Sequence, residues 1–212
     1  AAVVVATIRA LKYHGGVDRK DLETENVDAV SRGFENLRRH LDNISRFGVP
    51  AVVAVNAFNA DTEAEMQALL NHCEEIGVSC VIARHWAEGG KGAGELARVV
   101  VSLIDQKEES DFSPLYPDDL PLADKIGKVA REIYRADDIE MTPAVAKQLR
   151  QWDKTGAGQF PVCIAKTPYS FSADPDRRGA ATGFKLPVTS VRLSAGAGFV
   201  VALTGEIMTM PG

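Results

Sequence analysis

The chain has 212 residues, 45% of them hydrophobic and 25% charged, with a formal net charge of −5. That balance is ordinary for a globular protein with a packed core. It excludes a basic nucleic-acid-binding surface, which needs clustered Lys and Arg to neutralise phosphates. The apolar runs fall well short of the roughly 20 residues that a membrane helix needs, so no membrane partner is expected. Three cysteines without CxxC spacing, Cys73, Cys80 and Cys163, fit reduced thiols in a cytoplasmic protein.

Three short apolar runs alternate with helical patterns over the first half. Ala2 to Ile8 reads as a first strand. Val27, Val30, Phe34, Leu37, Leu41, Ile44 and Phe47 then recur at steps of three and four, predicting a helix over 26–47 that Gly48 closes. A second strand is expected from Val49 to Asn56. A helix follows at Asp61-Thr62, with Glu65 placed to complete a capping box. The third strand is read from Val78 to Ala83 and a third helix from about Gly92 to Ile104. These strands are near-continuously apolar, as expected for parallel strands covered on both faces. The predicted class is therefore α/β, a parallel sheet with covering helices over residues 1–110.

In such a sheet the loops leaving the strand carboxyl ends share one edge, where open α/β folds bind ligands. Here they are Arg9 to Gly16, Asn56 to Asp61 and Arg84 to Gly92. After a Pro- and Asp-rich connector from Ser113 to Pro121, residues 111–212 read as a smaller α+β domain. Helices are expected over 122–134 and from Thr142-Pro143, with strands over 161–166, 184–193 and 198–204 and a hairpin turn at 194–197. The chain opens directly inside an apolar strand and closes on Pro211-Gly212, so both ends read as cuts through a longer protein.

Phe58 and Trp86 each sit just past a strand end, outside any apolar stripe. Such residues either cover the edge of the core or wall a slot for a flat ring. Gly89-Gly90-Lys91-Gly92-Ala93-Gly94 opens a helix and either holds an anion or serves as a turn. It matches neither the Walker A nor the dinucleotide spacing. His14 and His85 lie on the predicted ligand edge, while His40 and His72 read as surface residues on helices. None is spaced for a metal, and no metal site is expected. Glu88 and Asp61 are acid–base candidates, although Asp61 also fits a helix cap. Cys163 reads as a small core residue, and 137–140 as a solvated turn. The small residues from Gly179 to Gly183 make either a turn or a close approach for a planar base.

Several stretches together resemble formate–tetrahydrofolate ligases. They are 4–12, Ala54 to Phe58, His85 to Gly92, Ala136 to Ile139, Ile164 to Thr167, Ser194 to Phe199 and Met208 to Gly212, and they correspond to the family's carboxy-terminal portion. The resemblance implies part of a P-loop NTPase-like domain and an enzyme joining formate, MgATP and tetrahydrofolate through formyl phosphate. It also implies a monovalent cation and a homo-oligomer, tetrameric in the family. Phe58 and Trp86 match the pair that stacks on folate, and Ala181 and Thr182 the contact with the nucleotide base. The family's phosphate-binding loop and its formyl-phosphate-binding basic residue lie upstream of the matched segment, so the catalytic residues are not identified here. This chain alone is expected to be inactive. Two alternatives stay open: a non-catalytic oligomerisation or interaction fragment of the same fold, and another P-loop ligase of dethiobiotin-synthetase type, which would not account for the residues around Trp86.

Overall fold

The computed structural model describes residues 1–106, 111–165 and 169–205. Expectations that bear on 107–110, on Lys166 and Thr167, and on the closing Met208 to Gly212 lie outside the described residues. The chain forms two compact units, Ala1–Ser113 and Pro114–Gly212.

The first unit is built on β1 (Ala2–Ala6), β2 (Ala51–Asn56) and β3 (Cys80–Ala83). The three are parallel, in the order β1-β2-β3. Val4 pairs with Val53 and Ala6 with Val55, and Val55 in turn with Ile82. One sheet face therefore presents Val4, Ala6, Val53, Val55 and Ile82 to α2 (Val27–Ser45) and α3 (Glu63–Glu75). There they meet Phe34, Leu37, Leu41, Met66, Leu69 and Cys73 in one core. The opposite face carries Val52, Ala54, Val81 and Ala83, all buried, and α5 (Gly94–Asp105) lies over β2 and β3. Val3 and Val5 of β1 remain exposed, as do Val101 and Ile104 of α5.

The first strand is shorter than its apolar run. It stops at Ala6, and Thr7 caps a short helix, α1 (Ile8–His14), by accepting from the Ala10 amide at 3.1 Å. The expected loop from Arg9 is thus helical, because Ile8 and Leu11 both turn into the core. α1 packs closely on α2: a Cβ on Gly33 would sit 1.9 Å from the Leu11 carbonyl oxygen, so only glycine allows this contact. His72 is not a plain surface residue. It stacks on Phe34, with ring centroids 5.0 Å apart, and hydrogen-bonds Ser31 and Glu75.

In the second unit, α6 (Leu122–Glu132) and α7 (Pro143–Trp152) cover two small sheets. One pairs β4 (Asp138–Met141) with β6 (Lys185–Val188), parallel. The other has the order β5 (Val162–Ala165), β8 (Phe199–Leu203), β7 (Ser190–Ser194), with β7 and β8 antiparallel about the expected hairpin. Two expectations are corrected. Residues 138–141 form a strand, because pairing with β6 outweighs their polar composition. The single strand expected over 184–193 divides at Thr189 between the two sheets. Cys163 lies on β5 as expected but faces outward and is exposed. Beneath these sheets the buried Lys125 ammonium donates to the carbonyls of Asp118, Gly158 and Phe160 at 2.6, 2.8 and 3.1 Å. Desolvation lowers its pKa, against the pull of Asp118, Asp153 and Asp119.

Candidate functional site

The carboxyl ends of β2 and β3 lie side by side. Asn56 pairs with Ala83, and the Ala57 amide continues the ladder to the Ala83 carbonyl at 3.3 Å. Phe58 follows immediately and is 42% exposed, a large value for an aromatic ring adjoining a core. The residues after it form a tight turn. The Phe58 amide donates to the Asp61 carboxylate at 2.8 Å, and the Asp61 amide donates to the Phe58 carbonyl at 3.0 Å. Asp61 is therefore not the helix cap. Thr62 takes that place, accepting from the Glu65 amide while the Glu65 side chain accepts from the Thr62 amide, the reciprocal box that the spacing predicts.

Glu65 also completes a buried ion pair with Lys12 of α1 at 2.9 Å, with side-chain exposures of 1% for Lys12 and 0% for Glu65. The carboxylate accepts a further bond from the Asn26 amide at 2.8 Å, and Lys12 donates to the Thr24 carbonyl at 3.2 Å. Burial pushes the Glu65 carboxyl up, but the bonds from Lys12, Asn26 and Thr62 outweigh it and hold the group below its ordinary value. Asp61 goes the other way. Burial raises it, with Glu65 adding to the rise, against the Phe58 hydrogen bond and the nearby Lys12 and Arg9. Sequence reasoning missed this pair because Lys12 sits in an apparent loop and Glu65 already has a role in the cap.

After β3 the chain folds into one helical turn, α4 (His85–Glu88), and a 3-10 turn, Gly89–Ala93. The Arg84 carbonyl accepts from the amides of Ala87 and Glu88, and the Arg84 amide donates to Gly92 at 3.1 Å. Gly92 is held so closely that a Cβ there would lie 2.5 Å from the Arg84 carbonyl carbon and oxygen. This compact turn presents Trp86 to solvent at 73% exposure. His85, Glu88 and Lys91 are exposed around it. His14, by contrast, ends α1 beside the Tyr13 ring and does not lie on a loop at the sheet edge. The Gly-rich run forms the 3-10 turn and the first residue of α5.

Ala181 and Thr182 belong to the second unit. Their loop is shaped by the Arg177 guanidinium, which donates to the Thr182 and Gly183 carbonyls at 3.4 and 2.8 Å. Among the described residues, no group of three or more His, Cys, Asp or Glu side chains converges in the manner of a metal site. No described helix is long and apolar enough to cross a membrane.

The family described as formate–tetrahydrofolate ligase matches the chain over residues 1–212. Over 212 residues the chain is 57% identical to a formate–tetrahydrofolate ligase of Paracoccus denitrificans, covering all of this chain and 38% of that protein. It is 55% identical over its whole length to the protein of the same name from Granulibacter bethesdensis, covering 37% of it. The Maricaulis maris protein of that name is again 57% identical, with 38% of it covered. The chain spans under two-fifths of the length of these curated relatives.

Proposed function

The chain belongs to the formate–tetrahydrofolate ligase family, and from that premise we propose that it supplies the folate-side surface of a longer ATP-dependent ligase. The supporting observation is the exposure of two aromatic rings, Phe58 and Trp86, just past the ends of adjacent parallel strands. A pterin between two such rings needs about 7 Å from face to face, twice a contact distance of about 3.5 Å. Stacking adds roughly 0.5–1.5 kcal/mol per pair beyond burial.

In the proposed reaction a formate oxygen attacks the terminal phosphorus of ATP, releasing ADP and forming formyl phosphate. A folate nitrogen then attacks the formyl carbon and phosphate departs. The part of this chain in that sequence is to fix the plane of the folate ring, so that the attacking nitrogen is held in one orientation. The phosphate-gripping groups of the P-loop-type domain are assigned to the remainder of the longer protein, so this chain alone does not turn over ATP. Ala181 and Thr182 are proposed to lie against the nucleotide base, where small side chains permit close approach. Magnesium and a monovalent cation are assigned to no residue of this chain.

A tetrahydrofolate titration followed by Trp fluorescence tests the slot. Saturable quenching that is lost in Trp86→Ala is the expected result, and no change in either protein would sink the proposal. A second reading, an interaction or oligomerisation segment, is favoured by the exposed apolar residues Val3, Val5, Val101 and Ile104. Both hold together if the apolar face meets another part of a homo-oligomeric enzyme.

A further inference from the structure

A stacking wall contributes affinity only if its ring is already in place when the ligand arrives, since ordering a loop on binding subtracts from the gain. The turn that carries Phe58 has such order built in. Its two ends are tied by the Phe58 amide to the Asp61 carboxylate at 2.8 Å and by the Asp61 amide to the Phe58 carbonyl at 3.0 Å. Directly beyond Asp61, the Thr62–Glu65 capping box is anchored to α1 through Lys12 and to the start of α2 through the Asn26 amide. Three helices thus converge on one buried carboxylate beneath the turn.

We propose that Asp61 is a positioning residue for folate binding, locking the Phe58 ring in its stacking pose from a foundation set by the Lys12–Glu65 pair. This rests on the assignment of Phe58 as a folate wall. The charged groups that act on Asp61 are Glu65, Lys12 and Arg9. Asp61 needs no contact with the ligand, since it acts through the backbone of Phe58.

Calorimetric titration of the full chain with tetrahydrofolate tests this. Asp61→Ala removes the acceptor and should weaken binding about three- to tenfold, the range of one hydrogen bond. Asp61→Asn keeps an oxygen in place and should stay within about twofold of the parent, taking twofold as within the context scatter of one hydrogen bond. Asp61→Glu shifts the acceptor by one methylene and should weaken binding as alanine does, so a failure of Asp61→Ala to fold leaves the test intact. In a Phe58→Ala background, Asp61→Ala should add nothing. Thr142→Ala, which removes the cap that accepts from the Val145 amide at the start of α7, is the control for stability alone and should leave affinity unchanged. Parent-like binding by both Asp61→Ala and Asp61→Glu, equal loss in Asp61→Asn, or an undiminished Asp61 effect without Phe58 would overturn the inference. Unchanged binding in Phe58→Ala itself would instead overturn the slot on which it rests.

Discussion

Glu65→Leu is the substitution whose cost is most fully set by the structure. The Glu65 carboxylate takes three donors: Lys12 at 2.9 Å, the Asn26 amide at 2.8 Å and the Thr62 amide at 3.2 Å. Replacing it strands the Lys12 ammonium in the core with the Thr24 carbonyl as its remaining described bond. Breaking a buried pair from one side costs about 3–5 kcal/mol, mostly the penalty of the charge left behind. Lys12→Met should cost less than Glu65→Leu, because the two amides keep their acceptor. The double variant Lys12→Met/Glu65→Leu should cost less than Glu65→Leu alone, since no charge remains buried. Urea denaturation followed by far-UV circular dichroism measures all three. A Glu65→Leu cost below about 1 kcal/mol, or costs that simply add in the double variant, would refute the assignment of this pair as the anchor.

The pH dependence follows the sign of the shifts. Glu65 is held below its ordinary 4.5, so its contribution is fully present above about that pH and is lost as pH falls through its folded value. Asp61 is held above its ordinary 3.8, so its contribution is present at low pH and is lost as pH rises through its folded value. The stability gap between parent and Glu65→Leu should therefore narrow on acidification.

Two further outcomes are expected. Gly92→Ala places a Cβ 2.5 Å from the Arg84 backbone and must displace the turn that carries Trp86; tetrahydrofolate affinity should fall with little loss of global stability, as a titration and a thermal melt together would show. Alkylation by iodoacetamide, mapped by mass spectrometry, should reach Cys163 first, because it is exposed. Cys80, whose thiol is kept protonated by its hydrogen bond to Cys73 and by burial, and the buried Cys73 should lag.

The sequence made legible what depends on local periodicity. The stripe from Val27 to Phe47 became α2, which ends at Ser45; Thr62 and Glu65 formed their box; and the turn expected at 194–197 formed one residue later, at 195–198, between β7 and β8. What depends on distant partners was not legible. α1 has seven residues, too short for a stripe, and Lys12 looks like a loop residue until Glu65 is seen opposite it. β4 exists because Ile139 and Met141 pair across to Leu186 and Val188, which no local composition announces. The same limit applies at the candidate site. The positions of Phe58 and Trp86 past strand ends could be read directly, but the bond from Asp61 to the Phe58 amide could not, since the helix-cap role competed for the same aspartate. The two roles separate only because Thr62 is a better-placed cap.

Phe58 and Trp86 are proposed as the two walls of a folate slot. Calorimetric titration of the chain, Phe58→Ala and Trp86→Ala with tetrahydrofolate measures it directly. Each substitution should weaken binding about tenfold, as expected for the loss of stacking together with part of the buried ring area. Affinities equal in all three proteins would rule out a slot walled by Phe58 and Trp86.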